Sequence, residues 1–186
     1  MRHRHISNNV KLVPDFIDYS DLCLDETCIL FLDFQKAFDT IEHKFIFHAL
    51  EKFGFGSYFH NAIKTMYKTG NCLIKWHAGT SPRLFLNRGV RQGCPISPYL
   101  FLLFTQLLTE SIKLSPLKGI SMADGEVIIS QLADDTTLFL RDASQIPITI
   151  DLIKTFSIAS GLRLKLKNVN CLLLRIAIYR LYVIFL

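Results

Sequence analysis

The sequence predicts an α+β domain, a mostly antiparallel sheet packed on helices. Three observations point there. Strand-like and helix-like segments are mixed without the regular alternation of a parallel α/β fold. Cys28–Phe34 is a short, continuous apolar run, as in a strand buried on both faces. The helix that opens at Ser97-Pro98 is apolar nearly all round, which places it inside a domain.

The elements follow in chain order. Val10–Tyr19 reads as a helical piece interrupted by Pro14, with Ser7 before it as a cap. The buried strand Cys28–Phe34 ends at Asp33. Ile41, Phe45, Ile46, Ala49, Leu50 and Phe53 form a helical stripe that stops at Gly54. Ser57 opens another helix to about Tyr67, closed by Gly70. Leu73–Trp76 and Leu84–Leu86 read as hairpin arms around Gly79-Thr80-Ser81-Pro82. Ser97 is the expected cap of the apolar helix, with Pro98 in its first turn. Val127–Leu132 and Thr136–Leu140 are strand-like runs separated by Ala133-Asp134-Asp135. Ser144–Ser160 reads as a helix capped by Gly161, and Arg163–Lys167 alternates as an edge strand would. Trp76, the single tryptophan, is read as a packing residue.

Composition narrows the function classes. The chain has 186 residues, half of them apolar and 15 of them Phe, which excludes a disordered chain and a disulfide-stapled mini-protein. The five cysteines are odd in number and form no Cys-x-x-Cys pair, as expected of thiols in a reducing compartment. His43 and His48 lie five apart, off a common helix face, so no zinc site is expected. The basic start Met1-Arg2-His3-Arg4-His5 runs into Ser7-Asn8-Asn9 instead of an apolar stretch. An intracellular protein, nuclear or cytoplasmic and not secreted, is expected. Tyr99–Leu108 and Cys171–Leu186 are greasy but fall short of the ~18 uninterrupted apolar residues of a membrane span.

Charge is unevenly laid out. Residues 1–40 hold four basic and seven acidic side chains, whereas residues 41–120 hold ten basic and three acidic, a balance of +7. A middle third that basic, with Arg88, Arg91 and Lys113 near aromatic residues, fits a polyanion partner or a solvated basic face.

The strongest chemical feature is a set of three acids. Asp33 ends one buried strand, and Asp134 and Asp135 occupy the turn between two others. If those strands are neighbours, their ~4.8 Å spacing brings the carboxylates to one edge, where they repel. Mg²⁺ removes such a conflict with oxygen ligands, and two ions suit an in-line phosphoryl displacement. Asp-Asp in a turn and Asp at a strand end are also ordinary structural residues, and both readings stand on spacing alone.

Longer words in the sequence decide between them. Phe31-Leu-Asp-Phe-Gln-Lys-Ala-Phe-Asp39, Arg88-Gly-Val-Arg-Gln-Gly-Cys-Pro-Ile-Ser-Pro98 and Leu132-Ala-Asp-Asp-Thr-Thr-Leu-Phe139 resemble three motifs of the reverse transcriptases of non-LTR retrotransposons. They come in the family's order and spacing. Ser160-Gly-Leu-Arg-Leu164 follows where a fourth motif belongs, and Arg4-His-Ile-Ser-Asn-Asn9 looks like the segment before the first. The resemblance runs from about Arg4 to Leu174, so residues 1–174 are expected to be a right-hand polymerase palm with partial fingers and no thumb. Residues 175–186 form an apolar tail that does not match the family, a surface for polymerase segments that the chain lacks.

The resemblance implies RNA-directed DNA polymerisation. Asp33, Asp134 and Asp135 match the metal-binding triad, and Phe34 matches the residue whose carbonyl reaches a metal. The metal would be Mg²⁺, two ions, with Mn²⁺ as a substitute. Phe38 matches the aromatic gate that lies under the sugar and selects deoxynucleotides by excluding the 2′-OH. Gln92 and Gly93 match the turn that contacts nucleotide and template, and Arg88 and Arg91 would contact phosphate. The implied partners are an RNA template, a DNA primer and deoxynucleoside triphosphates. Asp39 and Glu42 are read as first-turn residues favoured by the helix dipole.

The chain also departs from the family. The earlier fingers motifs are absent. The fourth motif usually reads Gly-Leu-x-Leu-Asn-x-x-Lys-Ser, and here Lys165, Asn168 and Val169 replace its Asn, Lys and Ser. A catalytically silent remnant that binds nucleic acid is therefore the rival expectation. A two-metal nuclease or phosphatase using the same acids is a third.

Overall fold

The computed structural model describes residues 14–16, 18, 27–122, 125–132, 135–165, 170–174 and 182–185. The element order begins with β1 (Thr27–Leu32), α1 (Ala37–Thr40), α2 (His43–Lys52) and α3 (Ser57–Lys68). Four two-residue strands follow: β2 (Asn71–Cys72), β3 (Lys75–Trp76), β4 (Gly79–Thr80) and β5 (Leu84–Phe85). Then come α4 (Ser97–Lys113), β6 (Ile120–Met122), β7 (Gly125–Val127), β8 (Ile129–Leu132) and β9 (Asp135–Leu140). The last elements are α5 (Ile146–Ser160), β10 (Asn170–Leu174) and β11 (Tyr182–Phe185).

The main sheet has the order β11-β10-β1-β9-β8, and every pairing in it is antiparallel. That is the expected α+β sheet. β1 lies at its centre with β9 on one side and β10 on the other. Its residues divide by parity, as a pleated strand requires. Cys28, Leu30, Leu32 and Phe34 join the large core with Ile46, Leu50, Ile63, Phe104, Leu108 and Ile153 from the helices. Ile29 and Phe31 pack on the opposite face in a smaller cluster with Phe16, Ile120 and Phe139. Phe16, in the helical residues 14–16, stacks on Phe139 at 4.3 Å between ring centroids.

Helix ends follow their local chemistry. Gly54 follows α2 at φ 73°, and Gly161 caps α5 in the left-handed region at φ 79°. The cap expected at Ser97 lies one residue earlier: Ile96 is the cap residue, and the Ser97 hydroxyl stands 3.5 Å from the buried Tyr67 hydroxyl. Asp142 accepts a bond from the Ser144 backbone at 2.9 Å ahead of α5, so the capping acid stands before the expected helix start at Ser144.

Four expectations change. The arms expected at Leu73–Trp76 and Leu84–Leu86 do not pair with each other: β2 pairs with β5, and inside that pair β3 pairs with β4 around a turn at His77-Ala78. Ser81 explains the shift: its backbone and hydroxyl bond to Ile74 at 2.8 and 2.9 Å, which splits the ladder. Trp76 is not a packing residue, being 48% exposed on β3. Val127 pairs with Ile120 in the β6–β7 hairpin and does not belong to β8. Arg163–Lys165 forms only an isolated bridge, Phe34–Leu164, to the continuation of β1, where the sequence predicts a regular edge strand over Arg163–Lys167. Residues 166–169, including Lys167, Asn168 and Val169, lie outside the described residues, as does most of Val10–Tyr19. Within the apolar tail, residues 182–185 add β11 beside β10.

No helix among the described residues is long and apolar enough to cross a membrane.

Candidate active site

The register of β1 and β9 places the acids. Phe31 pairs with Thr137 and Leu32 with Thr136. Asp33 and Asp135 are the next residues beyond this last pair, so the same register carried one step past the end of the ladder brings them opposite each other, and opposite residues on paired strands share a face. Asp33 and Asp135 therefore stand side by side at one end of the sheet, on the face away from the helices. Asp135 is exposed and Asp33 half-buried. Asp134 lies outside the described residues.

A cation already meets this row from the other side. Phe34 bridges Leu164, and the flanking bonds run from Lys165 N to Asp33 O at 2.9 Å and from Gln35 N to Arg163 O at 2.7 Å. That pattern makes Phe34–Leu164 a non-hydrogen-bonded pair, so the Phe34 carbonyl points to the β9 side of the strand. It also sets Lys165 opposite Asp33, and the Lys165 ammonium sits 2.8 Å from Asp33 Oδ2. The sequence marked Lys165 as a departure, but only the register reveals what it touches.

Past Phe34 the chain turns a tight corner. Lys36 adopts φ 45° and ψ 52°, the left-handed region that a non-glycine residue rarely enters, and is the cap residue of α1. The corner presents Phe38, half-buried and stacked on Phe101 at 4.2 Å with the rings 19° apart. The loop carrying Gln92 and Gly93 is docked onto this corner by backbone bonds. Gly89 N donates to Ile41 O and Val90 N to Phe38 O, each at 2.7 Å. A Cβ on Gly89 would come within 3.0 Å of Asp39 O and 3.1 Å of Asp39 Cα, and Gly89 has φ +82°. Only glycine fits such an approach without strain.

Side chains complete the dock. Arg88 pairs with Glu42 at 2.7 Å, and the Gln92 amide donates to Asp39 at 3.2 Å. Arg91 donates to the Met66 carbonyl at 2.6 Å, with its guanidinium 5.7 Å above the Tyr67 ring. Asp39 and Glu42, read from sequence as dipole partners of helix starts, thus also fasten the loop. Gly93 is exposed at φ +81° with open space where a Cβ would stand, so its conformation, not crowding, favours glycine.

His43 lies beneath the loop, buried, with Nε2 2.9 Å from Gly89 O and its ring edge-on to Tyr67. Burial holds its pKa below 6.5, against the opposing pull of the bonds to the Gly89 and Arg88 backbone, so it is read as the neutral ring donating from Nε2–H. Neither its burial nor its partner had a signal in the sequence.

Two clefts flank the loop. One of about 760 Å³ is lined by Lys44, Lys64, Lys68 and Arg88 among others. A smaller one of about 290 Å³ includes Asp39, Arg91 and Gln92. The basic middle of the sequence is therefore gathered in part around one concave surface.

The family profile described as reverse transcriptase (RNA-dependent DNA polymerase) matches residues 4–172. The chain is 32% identical over 165 residues to the transposon TX1 uncharacterized 149 kDa protein of Xenopus laevis, covering 87% of this chain and 12% of that protein. It is 27% identical over 165 residues to the Pol polyprotein of the type-2 retrotransposable element R2DM of Drosophila melanogaster, covering 89% of this chain and 15% of the relative. The Pol polyprotein of the type-1 retrotransposable element R2 of Popillia japonica is 29% identical over 141 residues, 75% of this chain and 20% of that protein. The chain thus spans a fifth or less of each of these relatives. The fold is shared with telomerase from Candida albicans, solved with a fragment of telomeric RNA, at a TM-score of 0.64 and 11% identity over 95% of this chain and 31% of that one. The chain belongs to the reverse transcriptase (RNA-dependent DNA polymerase) family, and its relatives are proteins of retrotransposable elements.

Proposed function

We propose that this chain is the palm, with part of the fingers, of an enzyme that extends a DNA primer with deoxynucleoside triphosphates on an RNA template. One observation supports it above the rest: the β1–β9 register sets Asp33 and Asp135 side by side, next to the corner that carries Phe38 and the docked Gln92-Gly93 turn. Carboxylate oxygens and the Phe34 carbonyl are hard donors of the kind Mg²⁺ takes. Asp33, Asp134 and Asp135 would hold two Mg²⁺, with Mn²⁺ as a substitute. When bound, such ions stabilise the attacking and leaving oxygens of an in-line displacement at phosphorus.

The chain's own residues supply position. Phe38, fixed by its stack on Phe101, would lie under the sugar and exclude a 2′-OH. Gln92 and Gly93 would contact the nucleotide and template from a loop held in place by Gly89 and Asp39. Lys44, Lys64 and Lys68 would follow the nucleic-acid backbone along the larger cleft. Arg88 and Arg91 would shape that surface and reach phosphate by exchanging their present partners. A reducing intracellular setting, nuclear or cytoplasmic, accords with the free thiols of Cys72 and Cys94.

The test is primer extension on an RNA template with Mg²⁺ and four deoxynucleotides, run beside Asp33→Asn, Asp134→Asn and Asp135→Asn. Extension by the parent and its loss in each variant is expected. The second reading, a silent nucleic-acid binder, is favoured by the Lys165–Asp33 pair. It predicts no extension by folded parent protein and salt-dependent RNA binding that survives Asp134→Asn.

A further inference from the structure

Resting on the metal-ligand role proposed above for Asp33, we infer that Lys165 is a built-in counter-cation of the acid row, one that divalent metal must displace. The ammonium lies 2.8 Å from Asp33 Oδ2, and the two side chains are 40% and 42% exposed. The pair is delivered by the backbone and not by a chance reach of a surface lysine. Lys165 N donates to Asp33 O at 2.9 Å, and the Phe34–Leu164 bridge fixes the register. Phe34 is buried and Leu164 packs on the same core, so Asp33 and Lys165 are turned together to the other face.

Across three adjacent extended segments the row therefore reads Lys165, Asp33, Asp135. An acid between a cation and another acid has its repulsion relieved on one side without any metal. The same ammonium engages an oxygen that a hard cation would need, and its positive charge opposes the approach of a second one. Neutral side chains at this position would take the ammonium away from Asp33 Oδ2 and leave the row one charge more negative. Asn, which the fourth motif usually carries there, is one such side chain. The predicted consequence is a site that binds divalent ions weakly because the chain carries its own competitor.

Mn²⁺ binding, followed by the loss of the free-ion electron paramagnetic resonance signal, tests this on the full chain without any need for turnover. Lys165→Asn and Lys165→Met are expected to bind Mn²⁺ about fivefold to tenfold more tightly than the parent, roughly 1–1.4 kcal/mol. Lys165→Arg, which keeps the charge, is expected to stay within about twofold of the parent. Asp33→Asn should abolish the tight component, including in the Lys165→Asn background. Circular dichroism of each variant confirms that it is folded, and two neutral replacements guard against a misfolded one. Mn²⁺ affinity unchanged in both neutral variants yet lost with Asp33→Asn would overturn the counter-cation role and leave the metal site standing. No Asp33-dependent binding even in Lys165→Asn would overturn both.

Discussion

Gly89 is the hinge pin of the site, and its replacement by alanine separates two costs that are usually confounded. Gly89 holds φ +82°, and a side chain in that region costs about 1–2 kcal/mol for any L-residue. The new Cβ would also stand 3.0 Å from Asp39 O, 3.1 Å from Asp39 Cα and 3.2 Å from Phe38 O. All three are backbone atoms of the corner, so no rotamer change relieves the contact. The loop must lift, stretching the 2.7 Å bonds from Gly89 N to Ile41 O and from Val90 N to Phe38 O. Each such bond contributes about 0.5–1.5 kcal/mol, which brings the expected loss for Gly89→Ala to about 2–5 kcal/mol. Gly93 supplies the control, since it has φ +81° and nothing within 4 Å of its Cβ position. Gly93→Ala should cost only the conformational part, about 1–2 kcal/mol. Urea unfolding of the two variants reads the difference directly, provided the slope against denaturant is unchanged. A Gly89→Ala loss no larger than that of Gly93→Ala would refute the close-packed dock.

Two further outcomes follow from buried polar groups. Burial lowers the His43 pKa below 6.5, so as pH falls the unfolded chain takes up this proton before the folded one does. The associated stability is complete above about 6.5 and is lost as pH falls through the window beneath it, by at most about 1.4 kcal/mol per pH unit. His43→Gln should flatten that part of the slope in urea midpoints compared between pH 7.5 and 5.5, and an unchanged slope would show that His43 does not titrate as its burial requires. Gln131, buried between α4 and the β8–β9 hairpin, accepts from Thr109 at 2.5 Å and donates to Thr136 at 3.3 Å. Gln131→Leu should cost about 1–2 kcal/mol in thermal or urea unfolding. The loss stays at that level because the Thr109 hydroxyl keeps the Thr105 carbonyl, 3.1 Å away, as an acceptor; a loss above about 4 kcal/mol would mean the amide holds more than these bonds.

The parts of this fold that were legible in the sequence are those where one physical signal has one outcome. The α2 stripe of Ile46, Ala49 and Leu50 could face only a core, and Gly54 and Gly161 could only end helices. Cys28–Phe34 had to be covered on both faces, and it is. Misreadings arose where the local signal is degenerate. Apolar residues continue from Val127 through Leu132, so composition does not mark Ile128 as the point where the chain leaves one hairpin for another. Gly79-Thr80-Ser81-Pro82 has turn chemistry, yet the bonds between Ser81 and Ile74 move the turn to His77-Ala78. The family words named the residues of the candidate site, but not their partners. That Asp39 holds Gln92, that His43 supports Gly89 and that Lys165 meets Asp33 are contacts between residues 46 to 132 positions apart.

The acid row itself is a consequence of the apolar pattern. Leu30 and Leu32 on β1, Phe34 just beyond its end, and Leu138 and Leu140 on β9 must face the helices. With a side-chain period of two, Asp33 and Asp135 are then obliged to face away. A slip of one residue in either strand would turn a carboxylate into the core, where an isolated charge is not tolerated. Burial therefore specifies the register, and the register specifies the site. The same parity acts on the neighbouring segment: Leu164 packs inward, so whatever stands at 165 meets Asp33. At that position the side chain alone decides whether the acid row is offered a permanent positive charge or left to recruit one.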